Sequence, residues 1–228
     1  MNLTRLYQVT AVAIATMLVI SLWGFARVGL DAPAPIHWGP TGEVDGYAPA
    51  WVAFLMTPVL TALIVALLAV VPRIEPRREN LRRSGDAYRT FSIALVLLMV
   101  VVHVGIVATG VTGSFPMPLV LGIGIGLLFA VMGNVLTTVR PNFMFGVRTP
   151  WTLASDRSWD HTHRVVGRLF VLTGIAMVVL SLTGEMLVVI GVMLAAIALI
   201  VVGGTWYSYR VWRDDPDRPG TTTMGSAS

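Results

Sequence analysis

The chain has 228 residues, 55% of them hydrophobic and 12% charged, with a mean hydropathy of +0.76. Soluble domains carry about a quarter charged residues, so this chain has too little polar surface to coat a water-solvated globule, and lipid must solvate most of it. Cysteine is absent, which excludes disulfides, thiolate catalysis and Cys-ligated zinc. Every basic residue is Arg, and the net charge is +4; in a soluble protein this would suggest a nucleic-acid partner, but here the placement of the arginines around apolar spans accounts for it.

A helix needs about 20 apolar residues to cross the hydrocarbon core. The first candidate is Tyr7–Val28. Its apolar run is long for a signal peptide and no small-residue cleavage pattern follows, so it reads as a retained helix. Next comes an outer loop, Asp31 to Tyr47, whose three prolines and three glycines forbid a regular helix. Gly39-Pro40-Thr41-Gly42 and Asp45-Gly46 are turn-formers, and Trp38 and Tyr47 suit the headgroup interface. The loop reads as an ordered cap on the outer face. Asp31, His37, Glu43 and Asp45 match no specific metal spacing.

The second span is Ala50–Val71, with Pro58 expected to kink it. The Arg-rich stretch 73–89 follows and reads as a lipid-headgroup anchor rather than a nucleic-acid site. The third span is Thr90–Val111 and holds His103, an ionisable group at membrane depth. Such residues are functional candidates, but a neutral His can equally bond a neighbouring helix. The fourth span, Pro118–Val139, carries Gly122, Gly126, Ala130 and Asn134 at four-residue spacing. That pattern predicts a packing seam, with Asn134 bonding across it.

The segment from Arg140 to Arg164 is dense in Arg, Asn, Trp, Asp and His, more than a linker requires. Pro141 and Asn142 end the fourth helix, and Ser155 caps the next, with Asp156 in its first turn. The fifth span, Val165–Leu182, is predicted to extend inward through Trp159–Arg164. On it Asp160 and Arg164 have ion-pair spacing, and Trp159 and His163 share a face. His161 and His163 point apart, so they do not make a metal site alone. No metalloprotease, triad, phosphate-loop or paired-carboxylate motif occurs, so the chain reads as no enzyme, with no cofactor and no metal. A hydrogen-bonded plug joining spans four and five and a ligand- or partner-binding site both remain open. The sixth span is Met186–Tyr209.

Positive charge is retained on the cytoplasmic side. With the N-terminus inside, nearly all arginines fall on inner segments and Arg27 alone lies outside. The predicted fold is therefore all-α: a polytopic membrane protein with six transmembrane helices and cytoplasmic N- and C-termini. The expected organisation is a two-helix domain at 1–72, a cytoplasmic linker at 73–89, a four-helix domain at 90–213 and a disordered tail at 214–228.

Two polar segments carry a resemblance. Gly133-Asn134, Arg140-Pro141-Asn142, Phe145-Gly146-Val147-Arg148-Thr149-Pro150-Trp151 and Trp159-Asp160-His161-Thr162-His163-Arg164 resemble the SdpI family of bacterial toxin-immunity membrane proteins. Pro35-Ile36-His37-Trp38-Gly39-Pro40-Thr41-Gly42 resembles a small membrane domain of unknown function often fused ahead of it. The resemblance implies a bacterial inner-membrane protein conferring resistance to a secreted peptide toxin. For some members it also implies a receptor that sequesters a transcriptional repressor at the membrane. The expected partners are membrane lipid, a toxin outside and a repressor inside, with no direct nucleic acid. Candidate ligand- or partner-binding residues are His37, Trp38, Asn134, Arg140, Asn142, Arg148, Trp151, Trp159, His163 and Arg164. The alternative is an enzyme or transporter that handles a lipid or envelope precursor through the Arg/His cluster.

Overall fold

The structure, a computed structural model, describes residues 1–217. Six helices are each long and apolar enough to cross a membrane: α1 (Thr4–Val28), α2 (Ala50–Ile74), α4 (Gly85–Thr112), α5 (Met117–Leu136), α7 (Asp156–Ser181) and α8 (Met186–Arg213). The chain is a multi-pass membrane protein. Two short helices, α3 (Arg78–Arg83) and α6 (Pro150–Ala154), lie in the connections. The six expected spans are all present, and the fifth does run inward through Trp159–Arg164. An even number of spans puts both ends of the described chain at one end of the bundle, here termed the Arg-rich end.

The expected outer cap is a β-hairpin of β1 (Pro33–Trp38) and β2 (Val44–Pro49). Its turn closes through Gly42 N–H to Gly39 O at 2.9 Å, with Gly42 at φ +98. The register slips around His37, as in a bulge. The hairpin is seated rather than loose: Ala34 is buried with Phe54 of α2 and Ile106 and Val107 of α4.

Two prolines sit inside α2, at positions 58 and 72. Each lacks an N–H, which frees the carbonyl four residues earlier. Both freed carbonyls are taken up by a neighbouring helix. Ser21 Oγ of α1 donates to Phe54 O at 2.8 Å, and Tyr88 Oη of α4 donates to Leu68 O at 2.7 Å. His103 lies between the same three helices, fully buried. Its Nε2 donates to Met17 O of α1 at 2.9 Å, and its Nδ1 accepts from Thr57 Oγ1 of α2 at 2.6 Å. The intramembrane histidine is thus a neutral three-helix tie.

The α5–α7 pair is the closest in the fold. A Cβ added at Gly126 would lie 2.8 Å from Gly174 O, and one at Gly167 would lie 2.6 Å from Gly133 O. Helix geometry corrects the expected seam. At about 100° per residue, position 134 lies roughly 120° around from Gly122, while position 133 returns to within roughly 20°. Gly133 therefore completes the seam, and Asn134 is exposed with no side-chain hydrogen bond among the described residues.

The stretch 73–89 is more structured than a linker. α2 reaches Ile74, α3 occupies most of the remainder, and α4 already begins at Gly85. Of the expected tail, 214–228, only residues 214–217 are described. Asp215 is buried, and its carboxylate accepts from Ser155 Oγ at 2.5 Å; residues 218–228 lie outside the described part.

Candidate functional site

Asn142 organises the loop at the Arg-rich end. It is fully buried, and all four of its hydrogen-bonding positions are used. Oδ1 accepts from Met144 N at 2.9 Å and Phe145 N at 2.6 Å. Nδ2 donates to Arg140 O at 2.8 Å and Phe145 O at 2.9 Å. A side chain that satisfies four backbone groups fixes a turn that no regular element could supply.

That turn is gripped from outside by residues absent from the sequence reading. Glu75, at the end of α2 and fully buried, accepts from Phe143 N at 3.1 and 3.2 Å and from Arg77 N at 2.8 Å. Asn80 of α3 donates to Pro141 O at 2.8 Å, and Ser84 Oγ accepts from Arg140 N at 2.8 Å. Arg77 donates to Leu153 O at 3.2 Å and lies 4.8 Å over the Phe143 ring. A Glu and an Asn inside an Arg-rich run carry no local signal for partners more than sixty residues away.

On α7, Trp159 and His163 stack at 4.1 Å between ring centroids. Both are buried. Trp159 Nε1 donates to Val139 O at 2.8 Å. His163 Nε2 accepts from Val147 N–H at 3.0 Å, and its Nδ1 donates to Trp159 O at 2.8 Å. A backbone N–H can only donate and a carbonyl can only accept, so His163 is neutral with its proton on Nδ1. Gly146 passes directly over this pair at φ +122, where an added Cβ would meet the His163 ring nitrogen and lie 3.2 Å from Trp159. A side chain has neither the conformation nor the space there.

Thr149 and Thr152 form a reciprocal capping box on α6. Thr149 Oγ1 also meets Ser208 Oγ of α8 at 2.9 Å, and Ser158 donates to Ser208 O at 2.8 Å. Trp151 is half-buried and packs edge-on against Tyr209, with centroids 5.2 Å apart. Asn142, Trp159 and His163 are therefore brought together in one plug, and Trp151 supports its flank.

The remaining candidates lie elsewhere. Arg148 is exposed, donates to Phe143 O at 2.6 Å, and stands at the rim of an apolar groove of about 450 Å³ lined by Phe145, Phe170 and Ile200. The side chains of Arg140 and Arg164 are exposed. No ion pair joins Arg164 to Asp160, which corrects that expectation: both side chains face solvent, where such a pair gains little. His161 is exposed and separate from His163. Among the described residues no group of His and acidic side chains could hold a metal.

His37 and Trp38 lie at the opposite end, in the hairpin. His37 Nδ1 meets Asp45 Oδ1 at 2.5 Å. Trp38 and His37 form the rim of a cavity of about 300 Å³, floored by Leu121 and Ile125 of α5, Met177 of α7 and Met193 of α8. Apart from the rim its walls are apolar, as befits a site for a hydrocarbon or aromatic group.

The SdpI/YfhL protein family model matches residues 138–204, from the start of the plug to the last turns of α8. The SdpI-family resemblance is thereby shown. A second match, to Domain of unknown function (DUF1648), covers residues 12–62, which hold the last two-thirds of α1, the hairpin and the first half of α2. The SdpI-like chain is 27% identical over 181 residues to Immunity protein SdpI of Bacillus subtilis (strain 168), spanning 79% of this chain and 84% of that protein. No solved structure matches.

Proposed function

We propose that this SdpI-like chain is a non-enzymatic immunity protein of a bacterial cytoplasmic membrane, protecting its cell from a secreted antimicrobial peptide. The observation that carries the reading is the similarity to Immunity protein SdpI across both ends of the bundle. The hairpin cavity supports it with a physical means. A membrane-active peptide presents apolar side chains, and an apolar recess of about 300 Å³ beneath Trp38 is large enough to seat one or two of them. With the arginines on the cytoplasmic side, this recess opens outward, where a secreted peptide arrives. The plug at the other end bonds α2 and α3 to the loop after α5 and to α7, so it holds the bundle rather than offering polar groups to a ligand.

Repressor capture, where it occurs, falls to the exposed inner arginines of α3. Arg82 and Arg83 pair with Glu79 on the surface, and Arg78 donates to Arg73 O at 2.8 Å. Arg77 belongs to the plug and must be left intact in any test. An Arg78→Gln, Arg82→Gln, Arg83→Gln variant that still holds the repressor at the membrane would refute this half.

The immunity reading is tested by survival of a toxin-sensitive bacterium challenged with an Sdp-type peptide, with and without the chain. Wild type is expected to protect. Trp38→Ala, and Leu121→Trp to fill the recess, are expected to abolish protection at matched membrane levels. No protection by well-expressed wild type would overturn the immunity reading; full protection by both variants would overturn the placement of the site.

A further inference from the structure

A second recess lies at the Arg-rich end, between the start of α7 and the end of α8, about 320 Å³ in volume. Arg157 and His161 line it from α7, one helical turn apart, and Trp206, Tyr207 and Arg210 line it from α8. None of the plug residues contributes. We propose that this recess binds the phosphate of an anionic phospholipid headgroup.

The charges favour an anion. Arg157 and Arg210 form no ion pair among the described residues. Two of the acids nearby have partners of their own, although Asp215 also feels the charge of Arg157. Asp214, which also lines the recess, lies 3.2 Å from Arg213 Nε, and Asp215 accepts from Ser155 Oγ at 2.5 Å and from Asp217 N at 3.1 Å. Two guanidiniums therefore face a small cavity with their donors unspent. Guanidinium groups bind phosphate oxygens through charge-assisted hydrogen bonds, often in pairs.

The shape favours a lipid as the source of that phosphate. Val202, Trp206 and Arg210 follow one another at four-residue spacing and so form one stripe on α8. Val202 is 70% and Trp206 61% exposed, and the Arg210 guanidinium lies 5.6 Å over the Trp206 ring. Read along the helix, the stripe runs from hydrocarbon to interfacial aromatic to cation, which is the order of a phospholipid's acyl chain, glycerol region and phosphate. Basic recesses between transmembrane helices at the cytoplasmic surface bind anionic headgroups on these grounds. A soluble phosphate would use the same arginines but gain nothing from Val202 and Trp206.

The test is native mass spectrometry of the full chain, purified in detergent and delipidated, then titrated with dioctanoyl phosphatidylglycerol, dioctanoyl phosphatidylcholine or inorganic phosphate. Wild type is expected to retain phosphatidylglycerol in preference to phosphatidylcholine. Arg157→Gln with Arg210→Gln should weaken that binding by at least about tenfold, Trp206→Leu should weaken it without a change of charge, and Arg82→Gln with Arg83→Gln should leave it unchanged. Arg157→Gln alone alters only an exposed side chain, so it reports on the site even if the double variant unfolds. Binding by the Arg157 and Arg210 variants equal to wild type would overturn the proposal. Arginine-dependent binding of inorganic phosphate, with phosphatidylglycerol no tighter, would uphold the phosphate chemistry and overturn the lipid source.

Discussion

Asn142→Asp is the sharpest perturbation of the inner plug, because it preserves shape and changes only two donors. The introduced carboxylate keeps the acceptor role toward Met144 N and Phe145 N. Its second oxygen, however, now faces Arg140 O and Phe145 O, the carbonyls to which Nδ2 donates at 2.8 and 2.9 Å. Both carbonyls lose their partner in a fully buried setting. At about 1–3 kcal/mol for each unsatisfied group, the loss is about 4 kcal/mol. For a chain of this size 1 kcal/mol shifts the melting temperature by roughly 2–4 °C, so the variant should melt about 10 °C below wild type near pH 8. The sign with pH follows from the geometry. Burial against two carbonyls raises the folded-state pKa of the introduced carboxyl, so the destabilisation is complete above that pKa and is relieved as pH falls through it, when the protonated acid donates to one carbonyl. The assay is tryptophan-fluorescence melting of the detergent-solubilised chain, reading the difference from wild type at each pH. A difference below about 2 °C at pH 8, or one that does not shrink on acidification, would refute the reasoning.

Further predictions follow from the same bonds. Ser21→Ala should destabilise by about 1–2 kcal/mol in the wild-type chain, because it strips the Phe54 carbonyl freed by Pro58; in a Pro58→Ala background the new N–H serves that carbonyl, and thermal melts of the four proteins should show the effect nearly vanish. Gly146→Ala should cost about 2 kcal/mol or more through positive-φ strain and the clash over His163, seen as faster limited proteolysis of the 140–155 loop; wild-type cleavage rates would refute it. The Ser155 hydroxyl holds the Asp215 carboxyl below its ordinary value of 3.8. The stability this supplies is present above that value and is lost as pH falls through the depressed folded-state pKa. The melting difference between wild type and Ser155→Ala should therefore be flat at neutral pH and diminish only below pH 3.8.

The spans were legible because lipid imposes a simple length rule on apolar runs, and the chain obeys it six times over. The continuous α7 was legible because Ser155 and Asp156 mark a helix start well before the apolar run begins. The hairpin was not. Its strands are made of Pro33, Pro35, Gly46 and Pro49, residues that ordinarily break strands, and it holds because Ala34 and Trp38 pack down onto the helices. The phase of the α5 seam was missed because steps of four drift by about 40° each against a 3.6-residue turn. Glu75, Asn80 and Ser84 were invisible for another reason. Their partners come from the loop after α5, and nothing local distinguishes a clamping Glu from a solvated one in an Arg-rich run.

Where the open valences lie divides the candidate residues into two kinds. Asn142, Trp159 and His163 have every polar atom bonded inside the chain. A ligand could use them only by displacing bonds that hold α2, α5 and α7 together, and each displaced buried bond would cost about 1–3 kcal/mol. Under the proposed function, recognition is assigned to groups that are exposed or line a recess. At the Arg-rich end these are Arg157, Arg210 and the α3 arginines; at the other end they are His37, Trp38 and the apolar walls beneath them. The plug fixes the spacing of α5, α7 and α8, and those same three helices form the floor of the hairpin recess. A variant that breaks the plug should thus abolish function at both ends without marking either site. Alanine substitution of Asn142 or His163 cannot locate a ligand, whereas Trp38→Ala and Arg157→Gln, at exposed or half-exposed positions outside the plug, can.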